Sequence, residues 1–186
     1  MQKIIFVSHC ILNTASKVML YNQEEIQAEE DLRRKFLKKA LDAGVQIVQL
    51  PCPEFTLYGA HRWGHVSEQF DNPFFRNHCR KILEPIMEQM EEYLTCGEFF
   101  EILGVVGVDG SPSCGVDYTC SADWYGAFDC NPRLPDMLGE CKMVKRPAIF
   151  MQELIDMLKE RGWEDQVTVR SLYAPEPDKC LDLIPE

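Results

Sequence analysis

Of the nine cysteines in this 186-residue chain, Cys10, Cys52 and Cys114 stand just beyond short apolar runs. Those runs are Lys3–Ser8, Val45–Leu50 and Ile102–Val108, each with the aliphatic and β-branched content of a buried strand. Parallel strands bring their carboxyl ends to one edge of a sheet, the edge where α/β proteins place ligands. Three thiolates distant in sequence would then meet around one point. A metal ion or cluster held by only three protein ligands keeps one coordination position open for chemistry.

The neighbours of two of these cysteines strengthen that reading. In Leu50-Pro51-Cys52-Pro53-Glu54, the prolines remove two backbone donors and fix the local path, so the thiol is presented rigidly. The Glu54 carboxyl beside it can exchange protons with a substrate or with attacking water; its plainer role is that of an acid at a helix start. In Asp109-Gly110-Ser111-Pro112-Ser113-Cys114-Gly115, the two serines set hydroxyls beside the third thiol, able to tune cluster sulfurs or orient a substrate. His61 and His65 have the spacing of one helical turn, as zinc ligands do, but Gly59 and Gly64 argue for a loop lining a pocket. Arg62 suits an anionic or carbonyl group of a substrate, or the surface, and His9 adjoins the first thiol.

The other six cysteines lack this context. Cys79 falls on the apolar stripe of a helix and reads as core. Cys96 and Cys180 have no companions, and Cys120, Cys130 and Cys141 lie in an irregular stretch without the Cys-x-x-Cys spacing of a zinc site.

The elements that must position the three thiols form an α/β succession. Asn22 caps a helix from Gln23 to Ala43, with Glu24 and Glu25 at its positive end and Gly44 as its stop, between the first and second strands. Asn72-Pro73 opens a second helical region whose apolar stripe runs from Phe75 to Leu94, and Pro85 predicts a kink or break within it. The third strand is nearly continuous in apolar residues, as expected for a strand covered on both faces. Residues 116–146 read as irregular. A helix from Pro147 to Arg161 and a strand over Val167–Leu172 follow, with an acidic tail from Ala174 as a surface strap. The expectation is one domain over 1–186: a three-layer, Rossmann-like α/β sandwich with a small, mostly parallel sheet of four to five strands.

Net charge of −11 and the absence of a basic stripe argue against a nucleic-acid partner. The basic cluster Arg33-Arg34-Lys35 with Lys38-Lys39 reads as a solvated helix face. No apolar stretch approaches membrane-spanning length, and no secretory leader is evident, so reduced thiols in a cytoplasm are expected. Nothing in the chain speaks to its oligomeric state.

With these residues in view, the chain resembles the thiouracil desulfurase (desulfidase) family. Its motifs are a Val-Ser-Ala-Cys-Leu-Leu-Gly start, a Cys-Pro-Glu after the second strand and a Ser-Pro-Ser-Cys-Gly after the third. Here they read Val7-Ser8-His9-Cys10-Ile11-Leu12-Asn13, Cys52-Pro53-Glu54 and Ser111-Pro112-Ser113-Cys114-Gly115. The resemblance covers the first 115 residues, and the two later motifs match letter for letter. It implies a [4Fe–4S] cluster held by Cys10, Cys52 and Cys114, with the fourth iron free to take sulfur from a thiocarbonyl or thionucleobase. It further implies that Glu54 and Ser111 assist proton handling or substrate placement. His9, Ser113, His61 and Arg62 are then candidate substrate contacts.

The chain departs from the pattern at His9 and Asn13. Ala15-Ser16-Lys17-Val18 stands where the family has Arg-Tyr-Asp-Gly, and Leu57–His65 where it has Gly-Gly-Leu and Pro-Arg. The ligands look retained while the pocket wall is rewritten. Two other functions are compatible with three thiolates and an acid: a zinc hydrolase using metal-activated water with Glu54 as base, and a non-enzymatic iron–sulfur redox or metal sensor.

Overall fold

The first strand, β1 (Gln2–Val7), is an interior strand of a parallel sheet in the computed structural model, which describes residues 1–186. After it come α1 (His9–Leu12), a 3-10 turn over Thr14–Ser16, α2 (Gln23–Asp42), β2 (Gln46–Gln49), α3 (Pro53–Tyr58), α4 (Ser67–Phe70) and α5 (Pro73–Thr95). The second half runs β3 (Phe100–Val108), β4 (Tyr118–Ser121), α6 (Leu134–Gly139), β5 (Lys142–Lys145), α7 (Ile149–Glu160), β6 (Val169–Leu172) and α8 (Asp178–Leu181). Sheet order is β2-β1-β3-β6, with all three pairs parallel. From β1 the chain builds the sheet first toward β2 and then toward β3. The loops after β1 and β3 therefore diverge at a topological switch point, the place where doubly wound sheets open a crevice.

Alternation along the strands makes two cores. Ile4 and Phe6 pack with Phe75, Cys79, Leu83, Met87 and Met90 of α5 and with Ile149, Phe150 and Leu154 of α7. Ile5 and Val7 pack on the opposite face with Leu32, Phe36 and Ala40 of α2 and with Cys180 and Leu181 of α8. The result is the three-layer α/β sandwich expected, with four strands in its parallel sheet. Truncating any of the fully buried Phe6, Phe36, Phe75 or Phe150 to Ala would cost about 3–5 kcal/mol.

The helix signals act as read. The Asn22 side chain accepts from the Glu25 amide at 3.3 Å, and that of Asn72 accepts from Phe74 and Phe75 at 3.1 and 3.0 Å. Gly44 takes φ +70°, a left-handed turn that directs the chain into β2. Between α5 and α7, the Glu153 carboxylate, only 6% exposed, accepts from Arg76 and Arg80 at 2.6 Å each. This pairing anchors α7, whose first turn supports the Cys114 loop.

Four expectations need correction. Of the kink or break expected at Pro85, the break does not occur: α5 is one helix of 23 residues, because Leu83, Met87 and Met90 are buried on both sides of the proline and offset its missing hydrogen bond. Residues 116–146 are not merely irregular, since β4 and β5 pair antiparallel from Tyr118↔Lys145 to Ser121↔Lys142. The tail is not a surface strap: Cys180, Leu181 and Ile184 are buried against the α2 face. Finally, the basic cluster of α2 is not wholly solvated. Arg33 turns inward, 15% exposed, and donates from Nη1 to the Ile11 carbonyl at 2.9 Å, which fixes the turn that carries Cys10.

Candidate functional site

Each thiol is held by a different device at the carboxyl edge of the sheet. Cys10 sits in α1, which begins two residues after β1 ends. Arg33 holds that turn from α2, and Gln49 Nε2 at the end of β2 donates to the His9 carbonyl at 3.0 Å. Cys52 occupies the N-cap of α3, where its Sγ accepts from the Phe55 amide at 3.4 Å and Pro53 supplies the first helical φ.

Cys114 lies on a loop that folds back over β3. Asp109 Oδ1 accepts from the amides of Val116, Asp117 and Tyr118 at 2.8, 3.0 and 3.2 Å. Ser111 Oγ accepts from the amides of Cys114 and Ser113 at 3.0 and 3.3 Å. The first turn of α7 completes the cradle: Phe150 and Met151 donate to the Ser113 carbonyl at 3.0 and 3.2 Å, and Ala148 to that of Gly115 at 2.9 Å. Glycine is demanded beneath this loop. A Cβ at Gly107 would stand 2.4 Å from the Cys114 carbonyl oxygen, and one at Gly115 would stand 2.1 Å from that of Tyr118.

The three thiols share one electrostatic environment. Burial pushes Cys10 up to about 12, with Lys17 opposing and Cys52 adding to the rise. Burial also raises Cys52 and lifts Cys114 well above its ordinary value, and Cys114 is raised further by the charges of Cys10 and Cys52. Raised in this way, the thiols favour the protonated form at neutral pH, and a metal bound here would have to displace those protons.

Beside the thiols, Glu54 is 7% exposed and both its oxygens are engaged. Ser113 Oγ donates to Oε1 at 2.6 Å, and Arg62 Nε donates to Oε2 at 3.2 Å. Ser113 Oγ also lies 3.5 Å from Cys114 Sγ and 3.3 Å from Ser111 Oγ. The single hydroxyl hydrogen of Ser113 is committed to Glu54, so the contact between the serines is donated by Ser111. A hydrogen-bonded line thus runs from half-buried Ser111 through buried Ser113 to the buried carboxylate.

The remaining candidates divide. The Arg62 side chain is buried, with each guanidinium nitrogen donating to a group of the protein, and nothing in the sequence signalled its pairing with Glu54. His9 is half-buried beside Cys10, and His61 is exposed. Residues 59–66 form no helix, so His61 and His65 do not share a helical face; His65 instead packs its ring against Tyr58 and Phe70, with centroids 5.1 and 4.9 Å apart. Cys79 is fully buried in the α5 core, and Cys120 and Cys141 lie within electrostatic reach of each other near Glu68.

No three His, Cys, Asp or Glu side chains are spaced to hold a single ion. One observation at the sheet edge bears on whether a cluster would fit there. Ser8 is the N-cap residue of α1, yet its side chain makes no capping bond. Its Oγ is buried and unpartnered two residues before Cys10. A buried hydroxyl without a protein partner suits a ligand that carries acceptor sulfurs. The sequence signal was Ser8 itself, a capping residue at a cap.

Comparison with known proteins bears on the same residues. A family model described as putative 2-thiouracil desulfurase matches residues 2–129, a stretch that includes all three thiols, Glu54, Ser111 and Ser113. An uncharacterised protein of Methanocaldococcus jannaschii is 31% identical over 115 residues, covering 62% of this chain and 69% of that protein. No solved structure matches.

Proposed function

The chain belongs to the family described as putative 2-thiouracil desulfurase, and from that premise we propose that it removes sulfur from a thiocarbonyl or thionucleobase compound, using a [4Fe–4S] cluster held by Cys10, Cys52 and Cys114. The observation that carries the reading is the 2.6 Å bond from Ser113 to Glu54, which sets a buried carboxylate beside the Cys114 thiol. When bound, a cluster with three cysteine ligands supplies a thiophilic iron with an exchangeable position.

The net reaction is hydrolytic: C=S and water become C=O and hydrogen sulfide, with no change in oxidation state. The chain's own residues handle the proton. Glu54, paired with the Arg62 guanidinium, is the proton acceptor. A proton released by attacking water is taken up at Ser111 Oγ, whose own hydrogen passes to Ser113 Oγ. The Ser113 hydrogen passes in turn to Glu54 Oε1. Return along the same line protonates the departing sulfur. Ser111 is the end of this line that a substrate can reach, while Ser113 and Glu54 are shielded from water. Acid–base assistance of this kind contributes about 10²- to 10⁴-fold in rate.

The test is anaerobic incubation of the cluster-loaded protein with a panel of thionucleobases and thioamides, following sulfide release. Release from at least one member with formation of the oxo product supports the reading. Full cluster content with no release from any member contradicts it.

A further inference from the structure

We propose that Arg62 is a positioning residue that locks the three cysteine-bearing loops together, so that seating the cluster and aligning Glu54 are one structural event. The proposal rests on the reading above for its cluster, but its geometry is that of the protein alone. The Arg62 side chain is 4% exposed. Its guanidinium donates in three directions: from Nε to Glu54 Oε2 at 3.2 Å, from Nη1 to the Gly59 carbonyl at 3.1 Å, and from Nη2 to the Ser16 carbonyl at 2.6 Å.

Those acceptors belong to different parts of the site. Ser16 ends the 3-10 turn that follows Cys10 and α1, and Gly59 closes α3, the helix that Cys52 caps. Glu54 takes the connection onward, because its other oxygen receives Ser113, the residue next to Cys114. The path from the Ser16 carbonyl through Arg62 and Glu54 to Ser113 therefore crosses all three loops with one hydrogen bond at each step. Two of its members, Glu54 and Ser113, also stand in the proton line. A displacement at one thiol loop is transmitted to the carboxylate, and the reverse.

The planar fork of arginine is what this junction requires. Lysine offers donors from a single point and cannot reach the Ser16 carbonyl and Glu54 from opposite sides at once. A side chain only 4% exposed, with each of its three guanidinium nitrogens bonded inside the protein, also separates this role from that of an exposed substrate-binding arginine.

Arg62→Gln, Arg62→Lys, Ser113→Ala and the double variant Arg62→Gln/Ser113→Ala test the proposal in two measurements. Amide hydrogen exchange of the metal-free protein reads the linkage by itself. Arg62→Gln is expected to raise exchange in residues 10–16 and 113–118 together, with Arg62→Lys restoring little. An increase confined to residues 54–62 overturns the linkage.

The second measurement is the lifetime of the reconstituted cluster under chelator, followed by visible absorbance, together with kcat and KM. Each single variant is expected to lose iron about tenfold faster than wild type. The double variant should be no faster than the worse single, because both cut one path. The fall in activity should lie in kcat. Wild-type cluster lifetime in Arg62→Gln, multiplying effects in the double variant, or a raised KM at unchanged kcat each overturn the proposal. Wild-type protein that takes up no cluster overturns the proposed function instead, and hydrogen exchange still decides the linkage.

Discussion

Ser113 donates a 2.6 Å hydrogen bond to Glu54 Oε1 across 59 positions of sequence. One partner follows β3 and the other follows β2, so the bond exists only once the parallel sheet has placed both loops at its carboxyl edge. It joins the helix capped by Cys52 to the loop bearing Cys114, and it holds the Glu54 carboxylate on the residue next to that thiol.

Glu54→Gln keeps the shape of this junction but removes the base. Turnover of any thio-substrate is expected to fall about 10²- to 10⁴-fold, while anaerobic reconstitution still incorporates iron and sulfide. Steady-state kinetics with iron analysis checks both parts. Wild-type turnover in this variant would remove Glu54 from the chemistry.

Gly107→Ala tests whether the Cys114 loop needs close contact with β3. The added methyl would stand 2.4 Å from the Cys114 carbonyl and 2.6 Å from Val116 Cγ2. Overpacking of this kind costs about 1–3 kcal/mol. A lowered midpoint in urea unfolding together with reduced iron uptake is expected. Unchanged stability would mean that the loop can lift without penalty.

How much of this was open to reading from the residues differs between fold and site. The strand-end positions of Cys10, Cys52 and Cys114 were legible because buried parallel strands have a strong apolar signature and α2 carries clear caps at Asn22 and Gly44. Strands β4 and β5 were not, because four residues such as Lys142–Lys145 are too short and polar to show a period. The inward turn of Arg62 and of Arg33 was not legible, for one shared reason. An arginine gives no local sign of turning inward, and its partners Glu54, Ser16 and Ile11 are distant or are backbone carbonyls. Ser111 and Ser113 could be named as a pair, but which of them touches Glu54 depends on how the loop closes on α7.

Acid titrates the anchor of the Cys10 turn. Hydrogen bonds from Arg33, and then from Arg34, hold Glu30 down from its usual 4.5 to about 2. A depressed carboxylate contributes stability above its unfolded value and loses it as pH falls toward the folded one. Wild type should therefore lose on the order of 1 kcal/mol from this pair, after solvent screening, between about pH 4.5 and pH 2. Glu30→Gln should lack that component. Urea unfolding of both proteins across this range measures it, and parallel pH profiles would refute it.

Ser8→Ala removes the unpartnered hydroxyl before Cys10. Hydrogen bonds to cluster sulfurs stabilise the more negative, reduced state, so the midpoint potential of the reconstituted cluster is expected to drop. Redox titration followed by electron paramagnetic resonance would detect it. A potential equal to wild type shows that the hydroxyl does not reach the cluster.

The most direct test of the central claim is iron and acid-labile sulfide content after anaerobic reconstitution of wild type and of four single cysteine variants. Wild type should bind about four iron and four sulfide per chain. Cys10→Ala, Cys52→Ala and Cys114→Ala should each lose the cluster, while Cys79→Ala, altered only in the α5 core, should keep it. A wild type that takes up no iron, or that binds one zinc and no sulfide, would contradict the account, as would full cluster content in any of the three edge variants.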